Sequence, residues 1–184
     1  MKNLLVKKMK NLFLIGYRGT GKTVLGERIA KELNKNFVDT DKIIIEIAGK
    51  SIPNIFAQDG EEKFREIETQ ALEKATAMEN VIVSCGGGII MKERNFPLLA
   101  KGIVCLLNAD AETIYDRIYN DSNRPALTNK DPFEEIVHML KLRGPLYEKA
   151  KDFEINTALG GKEECVNEII KKFNELILQN NNSD

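Results

Sequence analysis

Apolar positions in this chain come in short blocks that alternate with longer stretches of helical spacing. The run Leu12–Ile15 has strand length, ends at Gly16, and predicts a buried strand. From about Gly21, Val24, Leu25, Ile29 and Leu33 recur at helical spacing, which predicts a helix burying those four side chains. Asn34-Lys35-Asn36 reads as a turn. Phe37-Val38 begins a second short strand, stopped by Asp39-Thr40-Asp41, and Asp41 is placed to cap a helix over 42–48 that Gly49 ends. Ser51 with Pro53 marks another helix start, and Gly60 divides a short helix from a longer one over 61–78. Further strands fall at 81–83, running into Gly86-Gly87-Gly88, at 103–107 and at 153–155. Helical periodicity covers 111–119, 132–149, where Gly144-Pro145 is expected to disturb the helix, and 162–178. Residues 120–131 are polar, nonperiodic and broken by Pro125, and predict a mobile loop.

Strands and helices that alternate in this way predict an α/β fold, a five-stranded parallel sheet with helices on both faces. A length of 184 residues suits one domain, with 1–10 as an N-terminal tail and 179–184 as a flexible C-terminal tail. The tetrapeptide starting at Met1 recurs at Met9, so Met9 is a candidate alternative start. The 27 basic and 28 acidic side chains nearly cancel, which gives no electrostatic reason for a nucleic-acid or membrane-surface partner. Any anion site must therefore be local. No apolar run reaches the roughly 18 residues of a membrane span, and the N-terminus lacks a signal-peptide pattern. Cys85, Cys105 and Cys165 are odd in number and form no C-x-x-C pair, which predicts free thiols, a reducing compartment and a cytoplasmic protein. No long apolar surface stripe is evident, which favours a monomer.

Residues 16–23, G-Y-R-G-T-G-K-T, match G-x-x-x-x-G-K-[ST] between a predicted strand and a predicted helix, the context this phosphate-binding motif requires. Gly16, Gly19 and Gly21 let backbone N–H groups fold inward around phosphate, and the helix N-terminus adds positive charge. Lys22 supplies a full charge to the β- and γ-phosphates, and the Thr23 hydroxyl can ligate Mg²⁺. The chain is thus read as a P-loop protein that binds a nucleoside triphosphate. Thr128-Asn129-Lys130-Asp131 only superficially resembles a guanine-reading N-K-x-D motif, because Asp follows Lys directly and the segment sits in a loop.

The recipient of the phosphate has to come from elsewhere. Ligands gather at the carboxyl ends of parallel strands, where Asp39 and Asp41 end the second strand. Strand alternation would put both carboxylates on one side, one for the Mg²⁺ hydration shell and one to orient a substrate hydroxyl. Arg65 with Glu68 three residues on could be a surface ion pair and nothing more. The three glycines 86–88 allow close backbone approach to a ligand. Cys85 beside them lacks a base and reads as a small buried side chain. His138 is alone on its helix and receives no role.

G-Y-R-G-T-G-K-T, F-V-D-T-D, S-I-P-N-I-F-A-Q-D-G-E-E-K-F-R-E-I-E, S-C-G-G-G, R-P and R-G-P-L-Y occur in that order between about residues 11 and 157. In this series the chain resembles the shikimate kinases. The resemblance implies a P-loop kinase fold of nucleoside-monophosphate-kinase type with a mobile lid over 120–131. It also implies ATP-dependent phosphorylation of the 3-hydroxyl of shikimate, on the way to chorismate and aromatic amino acids. By position, Asp41 would hold the substrate hydroxyls and serve as base. Arg65 and Arg143 would grip its carboxylate, and Gly87 and Gly88 would offer backbone N–H groups. Gly19, Thr20, Gly21, Lys22, Thr23, Val24, Arg117 and Arg124 would contact ATP, Arg117 lying over adenine. Thr23 and Asp39 would manage Mg²⁺, and Lys22 and Arg124 would neutralise the transferring phosphoryl group. The chain departs from the family where Pro125 is followed by Ala126-Leu127, and at 157–161, where many members place a basic or polar residue near adenine.

A gluconate or nucleoside-monophosphate kinase is the nearest alternative, and a nucleotide-binding regulatory protein is a different class. The joint presence of Asp41, Arg65, three glycines and Arg143 argues against the first. An acceptor site drawn from four separate segments argues against the second.

Overall fold

The computed structural model describes residues 10–119 and 131–181. The expected lid, with Arg124 in it, therefore lies outside the described residues apart from Asp131, as do Met9 and nearly all of the N-terminal tail. The chain runs β1 (Leu12–Ile15), α1 (Lys22–Glu32), β2 (Asn36–Asp39), α2 (Thr40–Ala48), α3 (Ile52–Ala77), β3 (Val81–Ser84), α4 (Phe96–Leu99), β4 (Ile103–Asn108), α5 (Ala111–Tyr119), α6 (Pro132–Ala150), β5 (Phe153–Asn156) and α7 (Lys162–Asn181). Two short 3₁₀ turns fill 89–95, a stretch for which the sequence pattern predicts no element.

All strand pairs are parallel, in the order β2-β3-β1-β4-β5. Side chains alternate across the sheet, so β1 to β4 each feed two cores, while β5 feeds one. On one face Phe13, Ile15, Val81, Val83, Val104 and Leu106 pack against α2, α3 and Tyr147 of α6. On the other, Leu12, Leu14, Ile82, Cys105, Leu107 and Ile155 pack against α1 and α7. A sheet buried on both faces needs continuous apolar strands, which is why β1, β3 and β4 read as unbroken apolar blocks.

Several local expectations change. On α1, Leu25 and Ile29 are buried and Leu33 is partly so, but Val24 is 44% exposed; Gly26 takes the buried place because a Cβ there would lie 2.6 Å from the Phe37 ring. The cap of α2 is Asp39, whose side chain accepts from the Asp41 N–H (2.9 Å), not Asp41. The chain is already helical at Thr40, so Asp39 and Asp41 are not related by strand alternation. Gly60 does carry the break inside α3, at φ 81° and ψ 172°. Helix α6 runs unbroken through Gly144-Pro145: Pro145 and Lys141, whose carbonyl loses its usual partner, both lie on the exposed side of the helix, where solvent can take that partner's place. Helix α7 reaches Asn181, so residues 179–181 of the expected tail are helical.

Candidate active site

The phosphate loop leaves the carboxyl end of the central strand. Gly16 has φ 139°, and a Cβ there would sit 2.2 Å from the Leu107 carbonyl oxygen, so the loop can pass β4 only as glycine. Gly21 caps α1 in the left-handed conformation and offers no side-chain hydrogen bond. The first-turn N–H groups of α1 thus face outward as an anion site. Lys22 Nζ donates to the carbonyls of Gly16 and Tyr17, both at 2.8 Å, and the Thr20 hydroxyl donates to Tyr17 (2.7 Å). These bonds curl the loop into a closed turn.

Beside the loop, Thr23 Oγ1 lies 3.2 Å from Asp39 Oδ2 and 3.4 Å from Ser84 Oγ. The pairing of β2 with β3 sets Asp39 opposite Ser84. This all-oxygen group suits a hard cation that keeps most of its ligands as water and phosphate, which is how Mg²⁺ is usually held. Among the described residues no cluster of three or more His, Cys, Asp or Glu could hold a metal by itself.

A cavity of about 390 Å³ opens over these groups, walled by the loop, Asp39, Asp41, Ser84, Gly86, Gly87, Arg117 and Thr157. Val24, although exposed, is part of that wall. Arg65, Gly88 and Arg143 stand just behind it. Arg65 is buried, not a surface ion-pair residue: Nη1 donates to Glu68 (2.7 Å), while Nε and Nη2 reach Glu61 (3.3 and 3.1 Å). Burial pushes the Glu68 carboxyl above its usual range, against the pull of the guanidinium. At Gly88 a Cβ would lie 2.0 Å from Arg65 Nη1, so a side chain there would displace the guanidinium. At Gly86 a Cβ would meet the Glu68 and Asp41 carboxylates at 3.0 and 3.1 Å, so both acids converge on this turn. The turn is pinned from both ends: the Gly86 N–H donates to Thr40 Oγ1 (2.9 Å), and the Gly87 carbonyl accepts from Arg143 Nη1 (3.1 Å) and Tyr147 OH (2.6 Å).

Arg117 reaches the loop from α5, donating to the Gly19 carbonyl (3.3 Å) and to the side chain and carbonyl of Thr157 (3.0 and 2.6 Å). The segment after β5 thus contributes a residue, Thr157, that holds Arg117. Sequence reasoning also missed Glu68, Thr40, Ser84 and Tyr147. The spacing of Tyr147, four after Arg143 on one helix face, was the available signal for the last of these. Burial pushes the Cys85 thiol up, in keeping with an inert side chain. His138 is exposed, and Asp131 is the N-cap of α6, accepting from Phe133 and Glu134.

A phosphate loop on the central strand of a parallel sheet, sharing one cavity with Asp41 and a glycine turn backed by Arg65 and Arg143, is the arrangement of a P-loop kinase of small molecules. A model of the shikimate kinase family matches residues 18–174. The shikimate kinase of Caldicellulosiruptor bescii is 41% identical over 163 residues, 88% of this chain and 94% of the relative. That of Thermodesulfovibrio yellowstonii is 40% identical over 169 residues, 91% of this chain and 97% of the relative. Among solved structures, the shikimate kinase from Acinetobacter baumannii in complex with shikimate superposes with a TM-score of 0.85 at 34% identity, covering 95% of this chain and 96% of that one. The chain belongs to the shikimate kinase family, and is accordingly a phosphotransferase with a nucleotide donor. A gluconokinase from Sinorhizobium meliloti, 18% identical with a TM-score of 0.62 over 94% of this chain and 98% of that one, shares the fold alone.

Proposed function

We propose that this chain transfers the γ-phosphoryl group of ATP to the 3-hydroxyl of shikimate, in the route to chorismate and the aromatic amino acids. The observation that carries this reading is one cavity walled by the phosphate loop, Asp41, Gly86 and Gly87, with the buried Arg65 and Arg143 packed behind that glycine turn. Arg65 and Arg143 would grip the substrate carboxylate; the planar guanidinium suits two parallel hydrogen bonds, which an ammonium cannot make. Gly87 and Gly88 would add backbone N–H contacts. Asp41 would accept the proton of the 3-hydroxyl as its oxygen attacks the γ-phosphorus. The new O–P bond forms as the bond to the β–γ bridging oxygen breaks, and ADP leaves with that electron pair. The backbone of residues 19–24 would cradle the phosphates, with Lys22 and Arg124 offsetting the charge on the moving group. Arg117, which donates to Gly19 and Thr157, would lie over adenine. Thr23 and Asp39 would hold Mg²⁺, Asp39 through water. When bound, that ion would supply positive charge to offset the negative charge of the phosphates.

The chain is further proposed to act as one domain across 1–184, with 120–131 as its lid, as a cytoplasmic monomer without nucleic-acid or membrane partners. Three free buried thiols support a reducing compartment. Among the described residues no helix is long and apolar enough to cross a membrane. A coupled ADP-release assay tests the main reading: ATP consumption should require shikimate. Stimulation by gluconate or a nucleotide in its place would overturn it.

A further inference from the structure

We propose that Glu135 is a positioning residue that couples occupancy of the two substrate sites, an inference that rests on the functional reading above. Helix α6 touches both halves of the site. In its first turn Glu135, 1% exposed, pairs with the guanidinium of Arg18 in the phosphate loop. Eight and twelve residues on, Arg143 and Tyr147 donate to the Gly87 carbonyl at 3.1 and 2.6 Å. At about 1.5 Å per residue these points are roughly 12 and 18 Å along one rod. One end thus holds the donor loop and the other the acceptor turn.

Loop and turn also meet directly, since a Cβ on Gly87 would lie 3.5 Å from both the Arg18 nitrogen and the Gly16 carbonyl oxygen. The Tyr17 ring is packed between the two grips, with the guanidinium groups of Arg18 and Arg143 each 5.7 Å from its centroid. Tyr17 is itself 1% exposed, so a shift of the loop is passed to packed neighbours and not absorbed by solvent. An ion pair with one buried partner adds little stability over an apolar replacement, but it can hold its two elements in one register. Here the elements are the phosphate loop and the helix that carries Arg143. Glu135 lies outside the cavity wall, whereas its partner Arg18 is part of it, so Arg18 and α6 give Glu135 an indirect route to either ligand. Coupling between two sites is reciprocal: whatever shikimate does to nucleotide affinity, nucleotide must do to shikimate affinity.

The test is calorimetric titration of a non-hydrolysable ATP analogue with Mg²⁺, with and without saturating shikimate. In the wild-type chain shikimate should tighten the analogue about fivefold or more, the usual lower bound for coupled sites. In Glu135→Gln that ratio should fall to within about twofold of unity, while each ligand alone binds within about threefold of wild type. A wild-type ratio already near unity, or an unchanged ratio in the variant, overturns the proposal. So does weakening of the analogue alone with the ratio intact, which is what a merely structural role would give. If Glu135→Gln does not fold, the double variant Arg18→Met with Glu135→Met removes both charges of the pair and is judged by the same ratio. Failure of shikimate to bind the wild-type chain defeats the functional reading along with this one, whereas normal binding with unaltered coupling defeats this inference alone.

Discussion

Replacing Gly88 by alanine isolates the contribution of Arg65 to the acceptor site. Gly88 has φ −100° and ψ 3°, a conformation alanine adopts without strain, so the backbone cost is close to nil. The new Cβ, however, would stand 2.0 Å from Arg65 Nη1, 2.6 Å from Cζ and 2.8 Å from Nη2. Ordinary contact begins near 3.4 Å, so the guanidinium must retreat by about 1.4 Å (3.4 − 2.0). A guanidinium is the free end of a long side chain and can make that move. The 2.7 Å bond to Glu68 is broken in the process, and the fork no longer points where a substrate carboxylate would lie. Losing one charge-assisted hydrogen bond costs about 1.5–3 kcal/mol, which is roughly 10- to 150-fold in affinity at about 1.4 kcal/mol per decade. Carboxylate binding is shared by ground and transition states, so the loss should appear in KM for shikimate and leave kcat nearly unchanged. The coupled ADP-release assay reads both constants, and a melting curve checks the fold. KM for shikimate within twofold of wild type in a folded Gly88→Ala protein would refute the role given to Arg65.

Asp41→Asn should nearly abolish turnover while leaving calorimetric ATP binding in place, since it removes the group that takes the hydroxyl proton; loss of ATP binding instead would make Asp41 structural. Burial holds the Tyr147 hydroxyl well above its ordinary value of 10.0. Above about pH 10 the unfolded chain therefore loses a proton that the folded chain keeps, and stability falls by up to about 1.4 kcal/mol per pH unit from this group. Denaturant melts should show a shallower alkaline loss in Tyr147→Phe; parallel curves for the two proteins would exclude Tyr147 as the source. All three thiols are buried, so a thiol reagent should react slowly with the native protein and with three equivalents after unfolding. Rapid native labelling would contradict the packing of Cys85, Cys105 and Cys165.

Much of this protein is written in short stretches of chain. The apolar blocks at 12–15 and 103–107 become strands because a sheet covered on both faces accepts only apolar side chains there. Gly49 ends α2 and Gly60 breaks α3 because each adopts a positive φ that needs no partner elsewhere. The phosphate loop is legible for the same reason: its glycines, Lys22 and Thr23 act within eight residues. The chain could not show, from its own pattern, what depends on contacts across the fold. Arg65 and Glu68 look like a surface pair until α3 packs them behind the glycine turn. Asp39 and Asp41 look alike until the backbone turns helical at Thr40 and gives the cap to Asp39 and the cavity wall to both. Thr157 meets Arg117 across 40 residues, Tyr147 meets Gly87 across 60, and Glu135 meets Arg18 across 117. Periodicity reports which face of an element is buried, but a hydrogen bond between two elements is fixed by their packing, and packing is decided only when the sheet and all its helices close together.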